Sequence, residues 1–310
     1  MAKLAVLFAG QGAQKTGMGK SLYDNVSAAR EIFDRAEAVA PGICEMCFAG
    51  VEAELNKTIN TQPAVFVVDV AAYAALCSAD ICPTAAAGFS LGEYAALCAS
   101  GVLDFEDALR LVLKRAKWMQ HAAEEHDGAM AAIIGKTAAE AEAITAQFCG
   151  DGVLLPVNYN CPGQIVAAGD TKRVDAMMAY CKENKIKCMR LPVNGAFHSA
   201  HMAEAARNIY EEIKDKDFHL PFFELYANRT GKPYNMADMK KTIAEQTAHP
   251  VLFEQIIREM AEDGYDTFVE VGPGKTLSGF VGRISKDLQT YNINDCESYA
   301  QTIEELSSFR

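Results

Sequence analysis

Hydrophobic positions along the chain alternate between short apolar runs and longer stretches with helical spacing, a pattern typical of an α/β protein. Residues 4–8 are all apolar and predict a buried strand. Helical spacing begins near Ser21 and recurs at residues 28–40. Residues 62–76 are almost entirely apolar and predict a core helix that starts at Gln62-Pro63, with proline in its first turn.

The middle of the chain changes from long helices to a compact alternation. A helix is predicted after Asp104, since acidic residues follow this N-cap and apolar residues then recur at helical spacing. Between residues 128 and 193 the pattern predicts β-α-β-β-α-β, the order of a ferredoxin-like unit. Its strands and helices are expected at residues 129–134, 138–148, 153–159, 165–168, 174–182 and 188–193, with a hairpin turn at 158–163.

The last third of the chain predicts a return to the first domain. Its expected elements are a strand at 221–227, a mainly helical stretch at 236–249, a helix at 251–261 and a strand at 267–271. We therefore predict a larger domain made of residues 1–126 and 195–310, with residues 127–194 inserted as a small ferredoxin-like subdomain. An insertion of this size would form a lid, and clefts between domains are common positions for small-molecule sites.

Composition and charge narrow the range of partners. Half of the 310 residues are hydrophobic, and the net charge of -12 argues against nucleic acid or an anionic membrane as a partner. No membrane span is expected, because the apolar runs are interpreted as shorter than the ~20 residues that a span needs. The N-terminus lacks a signal-peptide layout, so a cytoplasmic location is expected. The ten cysteines are scattered, which predicts reduced packing residues and no metal site.

The stretch Gly88-Phe89-Ser90-Leu91-Gly92 lies between a short apolar run and a helix-like run. This arrangement matches the G-x-S-x-G nucleophile elbow, in which the glycines allow a strained serine and close packing. The Ser90 hydroxyl would lie at a helix N-terminus, where the Leu91 amide can donate to an oxyanion. A tight glycine turn would give the same short pattern. The choice between a nucleophile elbow and a structural turn therefore depends on whether catalytic partners for Ser90 occur elsewhere in the chain.

Two glycine-rich loops suggest phosphate binding, but their spacing argues against it. Gly10-Gln11-Gly12 follows the first strand, yet Lys15 stands where a dinucleotide fingerprint needs its third glycine. Gly274-Lys275-Thr276 ends like a Walker A motif, yet Val269 stands where the first glycine is required. Neither loop is therefore interpreted as a nucleotide site.

Two side chains could complete a site around Ser90. Arg115 follows the elbow on the predicted helix, and Met119 lies one turn further along, so the guanidinium would be bordered by apolar groups suited to binding a carboxylate. Two histidines occur where a loop becomes a helix, and either could supply a general base. His198 is favoured over His201 because it lies in the loop.

These motifs occur in an order that resembles malonyl-CoA:acyl carrier protein transacylases over nearly the whole chain. They are Gly10-Gln11-Gly12, Gln62-Pro63, the elbow, Arg115, Ala196-Phe197-His198, Gln246 with Pro250-Val251, and Glu270-Val271-Gly272-Pro273-Gly274. The resemblance implies an α/β-hydrolase-like core with a parallel sheet and the ferredoxin-like insertion. It also implies malonyl transfer from malonyl-CoA to the phosphopantetheine thiol of acyl carrier protein, for fatty acid synthesis, through a malonyl-serine intermediate and without a cofactor.

The resemblance also assigns roles to residues. Ser90 would be the nucleophile, His198 its base, and Gln11 and Leu91 the amide donors of the oxyanion hole. Gln246 would orient His198 through its main-chain carbonyl. Arg115 would bind the malonyl carboxylate, and Phe197 would exclude a methyl branch. Further candidate substrate contacts are Met119, Gln62 and Asn158.

Two positions depart from the family pattern, since Phe89 replaces the usual histidine before the nucleophile and His249 replaces an asparagine before Pro250. Neither change removes a catalytic group. The carrier protein is acidic, so we expect a local basic patch that includes Lys185, Lys187 and Arg190. The protein is expected to be a monomer that contacts the carrier transiently.

Two other function classes stay open from the residues alone. A serine esterase or thioesterase would use the same elbow for hydrolysis. In that class the triad acid lies between the serine and a histidine late in the chain, whereas here the best histidine lies mid-chain and no acidic residue is an equally good candidate for the triad. A carrier-docking relative without activity is disfavoured because Ser90, His198, Arg115 and Gln11 are all present.

Overall fold

The computed structural model describes residues 3–309, and two compact units are distinguished within it. Within the described residues, the first unit comprises 3–116, 217–226 and 259–309, and the second comprises 117–216 and 227–258. These boundaries differ from those of the predicted domains, since the second unit also includes segments on both sides of 127–194. The predicted domain boundaries stay a prediction.

Nine strands are found in the described chain. In chain order they are β1 (Lys3–Phe8), β2 (Ala85–Gly88), β3 (Gly128–Ile134), β4 (Leu154–Cys161), β5 (Gln164–Asp170), β6 (Lys187–Arg190), β7 (Glu224–Tyr226), β8 (Tyr265–Val271) and β9 (Gln289–Ile293).

Fourteen α-helices are found in the described chain, thirteen of them between strands and the last after β9. They are α1 (Lys20–Asn25), α2 (Ser27–Val39), α3 (Ile43–Ala49), α4 (Glu52–Leu55), α5 (Thr58–Cys77), α6 (Gly92–Ala99), α7 (Phe105–Glu125), α8 (Ala138–Cys149), α9 (Thr171–Glu183), α10 (Ala203–Ile213), α11 (Met239–Glu245), α12 (Phe253–Glu262), α13 (Thr276–Ile284) and α14 (Cys296–Glu305).

The first unit is built on a parallel five-stranded sheet with the order β7-β2-β1-β8-β9. Its strands β1 and β2 are buried and almost entirely apolar, because the middle of a parallel sheet is covered on both faces. Phe8 at the end of β1 pairs with Gly88 of β2 on one side and with Val271 of β8 on the other. The loops after these three strands therefore leave the sheet at the same edge, where α/β proteins usually bind ligands.

The second unit contains an antiparallel sheet with the order β4-β5-β3-β6. Together with α8 and α9, these strands have the order and pairing of a ferredoxin-like unit. One apolar layer of this unit packs the helices against the sheet, with Ile133, Ile144 and Val174 among its buried residues. The predicted fold class, a parallel α/β core with a ferredoxin-like antiparallel sheet, is confirmed.

Helix α5 is the central core helix of the first unit. It contains 20 residues with a mean hydropathy of 1.3 over its most apolar window, so length and composition alone would let it cross a membrane. The expectation that no apolar run approaches the length of a membrane span was therefore wrong when judged by helix length and hydropathy. However, 78% of the window is buried inside the protein, which is the usual condition of a core helix.

Several element boundaries differ from the sequence expectations. Helix α5 begins at Thr58, so Pro63 lies inside it and not at its start. The carbonyl that would have bonded the missing proline N–H is that of Ile59, which lies in the exposed first turn. Asn158 lies within β4, because the strand continues to Cys161 and only Pro162 and Gly163 form the turn. The predicted strand at 221–227 is limited to β7.

Candidate active site

The elbow around Ser90 has the strained geometry that the sequence predicted. Ser90 has a φ of 53°, in the left-handed region that non-glycine residues rarely adopt. A Cβ at Gly88 would lie 1.9 Å from the carbonyl carbon of Gly92, and one at Gly92 would lie 2.2 Å from the carbonyl oxygen of Phe8. Both glycines are therefore required for the close approach of β1, β2 and α6.

Phe89, the residue before Ser90, supports the neighbouring loop. A Cβ at Gly10 would lie 2.4 Å from the Phe89 carbonyl oxygen, so glycine lets the Gln11 loop pack directly on the elbow. The Phe89 ring lies 6.3 Å from the ring of Phe280 on α13. This family-atypical phenylalanine is therefore part of the packing that holds the elbow against α13.

Arg115 lies on α7 and is fully buried beside Ser90. Its Nη2 donates to Ser90 Oγ at 3.4 Å, and its Nη1 donates to Gln62 Oε1 at 2.6 Å. Its guanidinium carbon lies 5.0 Å from the centre of the Tyr94 ring. Burial lowers the pKa of Arg115, while the neighbouring Tyr94 and Glu93 oppose that change. The first unit thus holds a desolvated cation next to its strained serine.

A chain of side-chain amides connects this arginine to the loop after β1. Gln62 Nε2 donates to Gln11 Oε1 at 3.3 Å, and Gln11 Nε2 donates to Thr58 Oγ1 at 3.1 Å. The Gln11 side chain is therefore held by α5. Because a fixed loop keeps its backbone amide in one place, this arrangement suits preorganised donation to an oxyanion.

Leu91 is buried and is the N-cap residue of α6. Its backbone is helical, with φ of -55° and ψ of -41°, so its amide belongs to the group of N–H bonds that a helix start leaves without intrahelical partners. This is the donor position that the elbow pattern predicts.

Two buried carboxyl groups behind the loops were not anticipated from sequence. Burial raises the pKa of Asp69 well above its ordinary value, and the neighbouring Glu270 raises it further. Burial also raises the pKa of Glu270, although its oxygens accept the amides of Leu277 and Ser278 at 3.0 and 2.7 Å. A Cβ at Gly272 would lie 1.8 Å from Asp69 Oδ1, so the glycine loop after β8 rests on this carboxyl group.

In the second unit, His198 is buried and also has a left-handed backbone, with a φ of 63°. Its amide donates to the Thr247 carbonyl at 3.0 Å. Its Nδ1 lies 3.0 Å from the Gln246 carbonyl oxygen and 3.1 Å from that of His249. Because both neighbours are acceptors, Nδ1 carries the proton and Nε2 is left as the basic nitrogen.

The segment that supplies these carbonyls is itself held in place. Gln246 Nε2 donates to Asn228 Oδ1 at 3.4 Å, and His249 Nδ1 contacts the Glu245 carbonyl at 2.8 Å. In the sequence alone, His249 is only a departure from the family pattern. Its carbonyl is a second hydrogen-bond acceptor for His198, which no side-chain pattern could reveal.

Three further candidates lie in the second unit. Phe197 and Met119 belong to one buried apolar cluster, which also includes Met202. Asn158 is buried within β4, next to the backbone bonds that join Val157 and Tyr159 to Val251. Their contacts with substrate stay predictions.

The structure thus brings the sequence candidates together in two groups. Ser90, Arg115, Gln62 and Gln11 are connected within the first unit, and His198 contacts Gln246 within the second. Across residues 3–309, no group of three or more His, Cys, Asp or Glu side chains is arranged to hold a metal ion.

Comparisons with known proteins give a consistent assignment. The family model described as acyl transferase domain matches residues 6–307. The chain is 40% identical to the malonyl CoA-acyl carrier protein transacylase of Bacillus subtilis (strain 168), over 99% of this chain and 98% of the relative. The crystal structure of the transacylase of the same name from Clostridium perfringens is 38% identical with a TM-score of 0.94, over 99% of this chain and 98% of the other.

A second solved structure includes a partner protein. It is described as a type II PKS acyl-carrier protein in complex with its malonyl-transacylase, and its matching chain is 32% identical with a TM-score of 0.94. The match covers 98% of this chain and 100% of the other.

Proposed function

The chain belongs to the malonyl-CoA:acyl carrier protein transacylases of the acyl transferase family, and we propose that it works through a malonyl ester on Ser90. It transfers the malonyl group from malonyl-CoA to the phosphopantetheine thiol of acyl carrier protein, which supplies extender units for fatty acid synthesis. In the ping-pong mechanism, CoA leaves before the carrier thiol attacks.

The observation that carries this proposal is the buried Arg115 guanidinium 3.4 Å from Ser90 Oγ. A buried cation beside a nucleophile favours an acyl group that carries its own negative charge. Guanidinium and carboxylate form paired, charge-assisted hydrogen bonds, which are stronger than neutral ones. An acetyl group offers no such acceptor, so the malonyl group is preferred. Gln62, which accepts from Nη1, fixes the orientation of the guanidinium.

His198 is the proposed general base. With its Nδ1 proton directed at two carbonyl oxygens, its Nε2 accepts the Ser90 proton as Oγ attacks the thioester carbon. The same proton then passes to the CoA sulfur as the C–S bond breaks. Neutral carbonyl groups stabilise an imidazolium less than a carboxylate would, so the proton is released readily to the departing thiol.

The oxyanion formed in each step is assigned to the amides of Gln11 and Leu91. The fixed Gln11 side chain and the helix start at Leu91 support this role, because preorganised donors need no rearrangement during reaction. In the second half-reaction the carrier thiol gives its proton to His198, attacks the malonyl ester and restores Ser90. The two thiols are similar leaving groups, so the transfer needs little driving force.

Phe197 and Met119 are proposed to shape the acyl pocket. Both belong to a well-packed apolar cluster, so neither can move aside easily for a larger acyl group. Phe197 is expected to exclude a methyl branch next to the carboxylate. Asn158 is the remaining proposed substrate contact.

The carrier surface is proposed at the basic edge, defined as Lys185, Lys187 and Arg190. All three are exposed, and the last two lie on β6, the edge strand of the antiparallel sheet. Residues 171–190 contain six basic and two acidic side chains, so they carry +4 in a chain of -12. Arg190 also pairs with Asp175. This local excess of positive charge suits an acidic partner.

The remaining features of the proposal follow from the same assignment. The reaction uses side chains and backbone amides alone, so no cofactor is expected. We propose a cytoplasmic monomer whose partners are malonyl-CoA and the holo carrier, with neither nucleic acid nor membrane involved.

The test is to incubate the protein with malonyl-CoA alone and search the peptides by mass spectrometry. A malonyl group on the peptide that contains Ser90 is expected, and its absence in Ser90→Ala is the control. An adduct elsewhere, or none, would refute the mechanism. Fast loss of the malonyl group to water without carrier would instead support the esterase or thioesterase alternative.

A further inference from the structure

The loop that carries His198 rests directly on one end of the antiparallel sheet. Gly128 of β3 and Asp170 of β5 are cross-strand partners at that end. A Cβ at Gly128 would lie 2.7 Å from the Ala196 amide nitrogen and 3.2 Å from His201 Nδ1. Glycine at position 128 therefore allows both ends of the Ala196–His201 segment to approach the sheet.

His201 anchors the far end of this segment. Its side chain is only 10% exposed, and its Nε2 lies 2.9 Å from Asp170 Oδ1. The other oxygen of Asp170 accepts the Val153 amide and Arg173 Nε, both at 3.0 Å. Because Asp170 is fixed by the sheet and by an arginine, its contact with His201 transfers that rigidity to the loop.

Hydrogen bonds through Ser199 close the turn that contains His198, from Ala196 to His201. Ser199 Oγ donates to the Ala196 carbonyl at 2.6 Å and accepts the His201 amide at 3.3 Å. The Met202 amide donates to the Ser199 carbonyl at 3.0 Å. His198 lies inside this turn in its left-handed conformation. Such a conformation persists only where the surroundings hold it, so release of His201 would let His198 relax.

We propose that the His201–Asp170 pair is a positioning element for the base, an inference that rests on the proposed role of His198. The pair holds the Ala196–His201 segment on the sheet and so keeps His198 Nδ1 against its two carbonyl acceptors. Neither His201 nor Asp170 takes part in proton transfer. Their effect is on the rate of the chemical step and not on substrate binding.

The experiment compares variants of the full-length enzyme by steady-state kinetics, corrected for the folded fraction. His201→Ala and Asp170→Asn are expected to lower kcat about tenfold and to leave the KM for malonyl-CoA unchanged, since small displacements of a catalytic group slow the reaction strongly. His201→Gln retains an N–H that can reach Asp170 and should recover most of the rate.

A matched control removes a nearby hydrogen bond that does not involve the loop. Thr171→Val loses the bond from Thr171 Oγ1 to Asp127 Oδ1 at 2.6 Å and should keep the wild-type kcat. In the ¹H–¹⁵N spectrum of the histidine rings, the His198 Nδ1–H signal should weaken in His201→Ala and stay in Thr171→Val. A purely structural role would not produce this difference.

Two results would overturn the positioning role. One is a kcat within twofold of wild type in both His201→Ala and Asp170→Asn while His198→Ala is inactive. The other is a loss of rate that only follows the folded fraction, with an unchanged His198 ring signal. Full activity in His198→Ala would remove the proposed base itself, which is a separate failure of the function assignment.

Discussion

Replacing Arg115 by methionine removes the charge beside Ser90 and keeps most of the side-chain volume. Arg115 is fully buried, and its guanidinium contacts Ser90, Gln62 and the face of Tyr94. Methionine would place an unbranched apolar side chain at the same buried position. We expect malonyl transfer to collapse while the fold persists.

The size of the loss follows from the hydrogen bonds that the guanidinium would make to a carboxylate. Two charge-assisted bonds contribute about 1.5–3 kcal/mol each, so kcat/KM for malonyl-CoA should fall by about 10²- to 10⁴-fold. The kcat/KM for acetyl-CoA should instead rise. In the proposed site, the wild-type enzyme would leave buried donors opposite an acetyl methyl group, whereas methionine would give that group an apolar surface. The ratio of malonyl to acetyl activity should therefore fall further than malonyl activity alone.

Stability should change much less than activity. The lowered pKa of Arg115 reflects burial, which means that the folded state disfavours this charge. Its removal leaves Gln62 Oε1 without one donor, a cost of about 1–3 kcal/mol. The relief of a desolvated charge offsets that cost, as in replacements of other buried charged groups by apolar residues. The unfolding temperature should shift by only about 5 °C in either direction.

The assay measures kcat/KM for both acyl-CoA substrates with the holo carrier, together with thermal unfolding. Lys117→Met removes an exposed charge from the same helix and serves as the control, with unchanged kinetics expected. If Arg115→Met kept a malonyl preference within about threefold of wild type, the guanidinium would not be the carboxylate site.

Further outcomes follow from the other sites. Lysine-to-glutamate changes on the basic edge should raise the KM for the carrier about tenfold and leave that for malonyl-CoA unchanged, whereas Lys57→Glu should alter neither. Phe197→Ala should admit methylmalonyl-CoA, seen as a lower ratio of malonyl to methylmalonyl kcat/KM. Because burial and Glu270 raise the pKa of Asp69, the folded state keeps a proton that the unfolded state loses above about pH 4. Stability should thus fall by up to about 1.4 kcal/mol per pH unit until the folded pKa is reached, and Asp69→Asn should flatten this slope in urea unfolding between pH 5 and 8.

The parts of the fold that were predictable are those fixed by local patterns. The strand before the elbow and the β-α-β-β-α-β order could be read because apolar runs, helical spacing and turn residues alternate along the chain. The elbow glycines were predictable for a similar reason, since only glycine fits where three backbone segments meet. The elements after Thr276 were not predicted.

The parts that could not be predicted depend on contacts between distant residues. The connection from Arg115 through Gln62 to Gln11 spans 53 and 51 positions of sequence. The burial of Asp69 within the electrostatic influence of Glu270 and the His249 carbonyl acceptor also arise only when the chain is folded. Asn158 was misplaced because Asn, Pro and Gly near the hairpin resemble a turn, while pairing with β5 extends the strand past it.

The left-handed backbone conformations of Ser90 and His198 lower the stability of the fold. A non-glycine residue in that region costs about 1–2 kcal/mol, and here it occurs at both the proposed nucleophile and the proposed base. Replacement of either residue by glycine would relax the chain and stabilise the fold while it destroys the activity. Inactive variants with glycine at either position would thus have a higher free energy of unfolding than the enzyme. Selection for acyl transfer therefore has to maintain two residues that make the fold less stable.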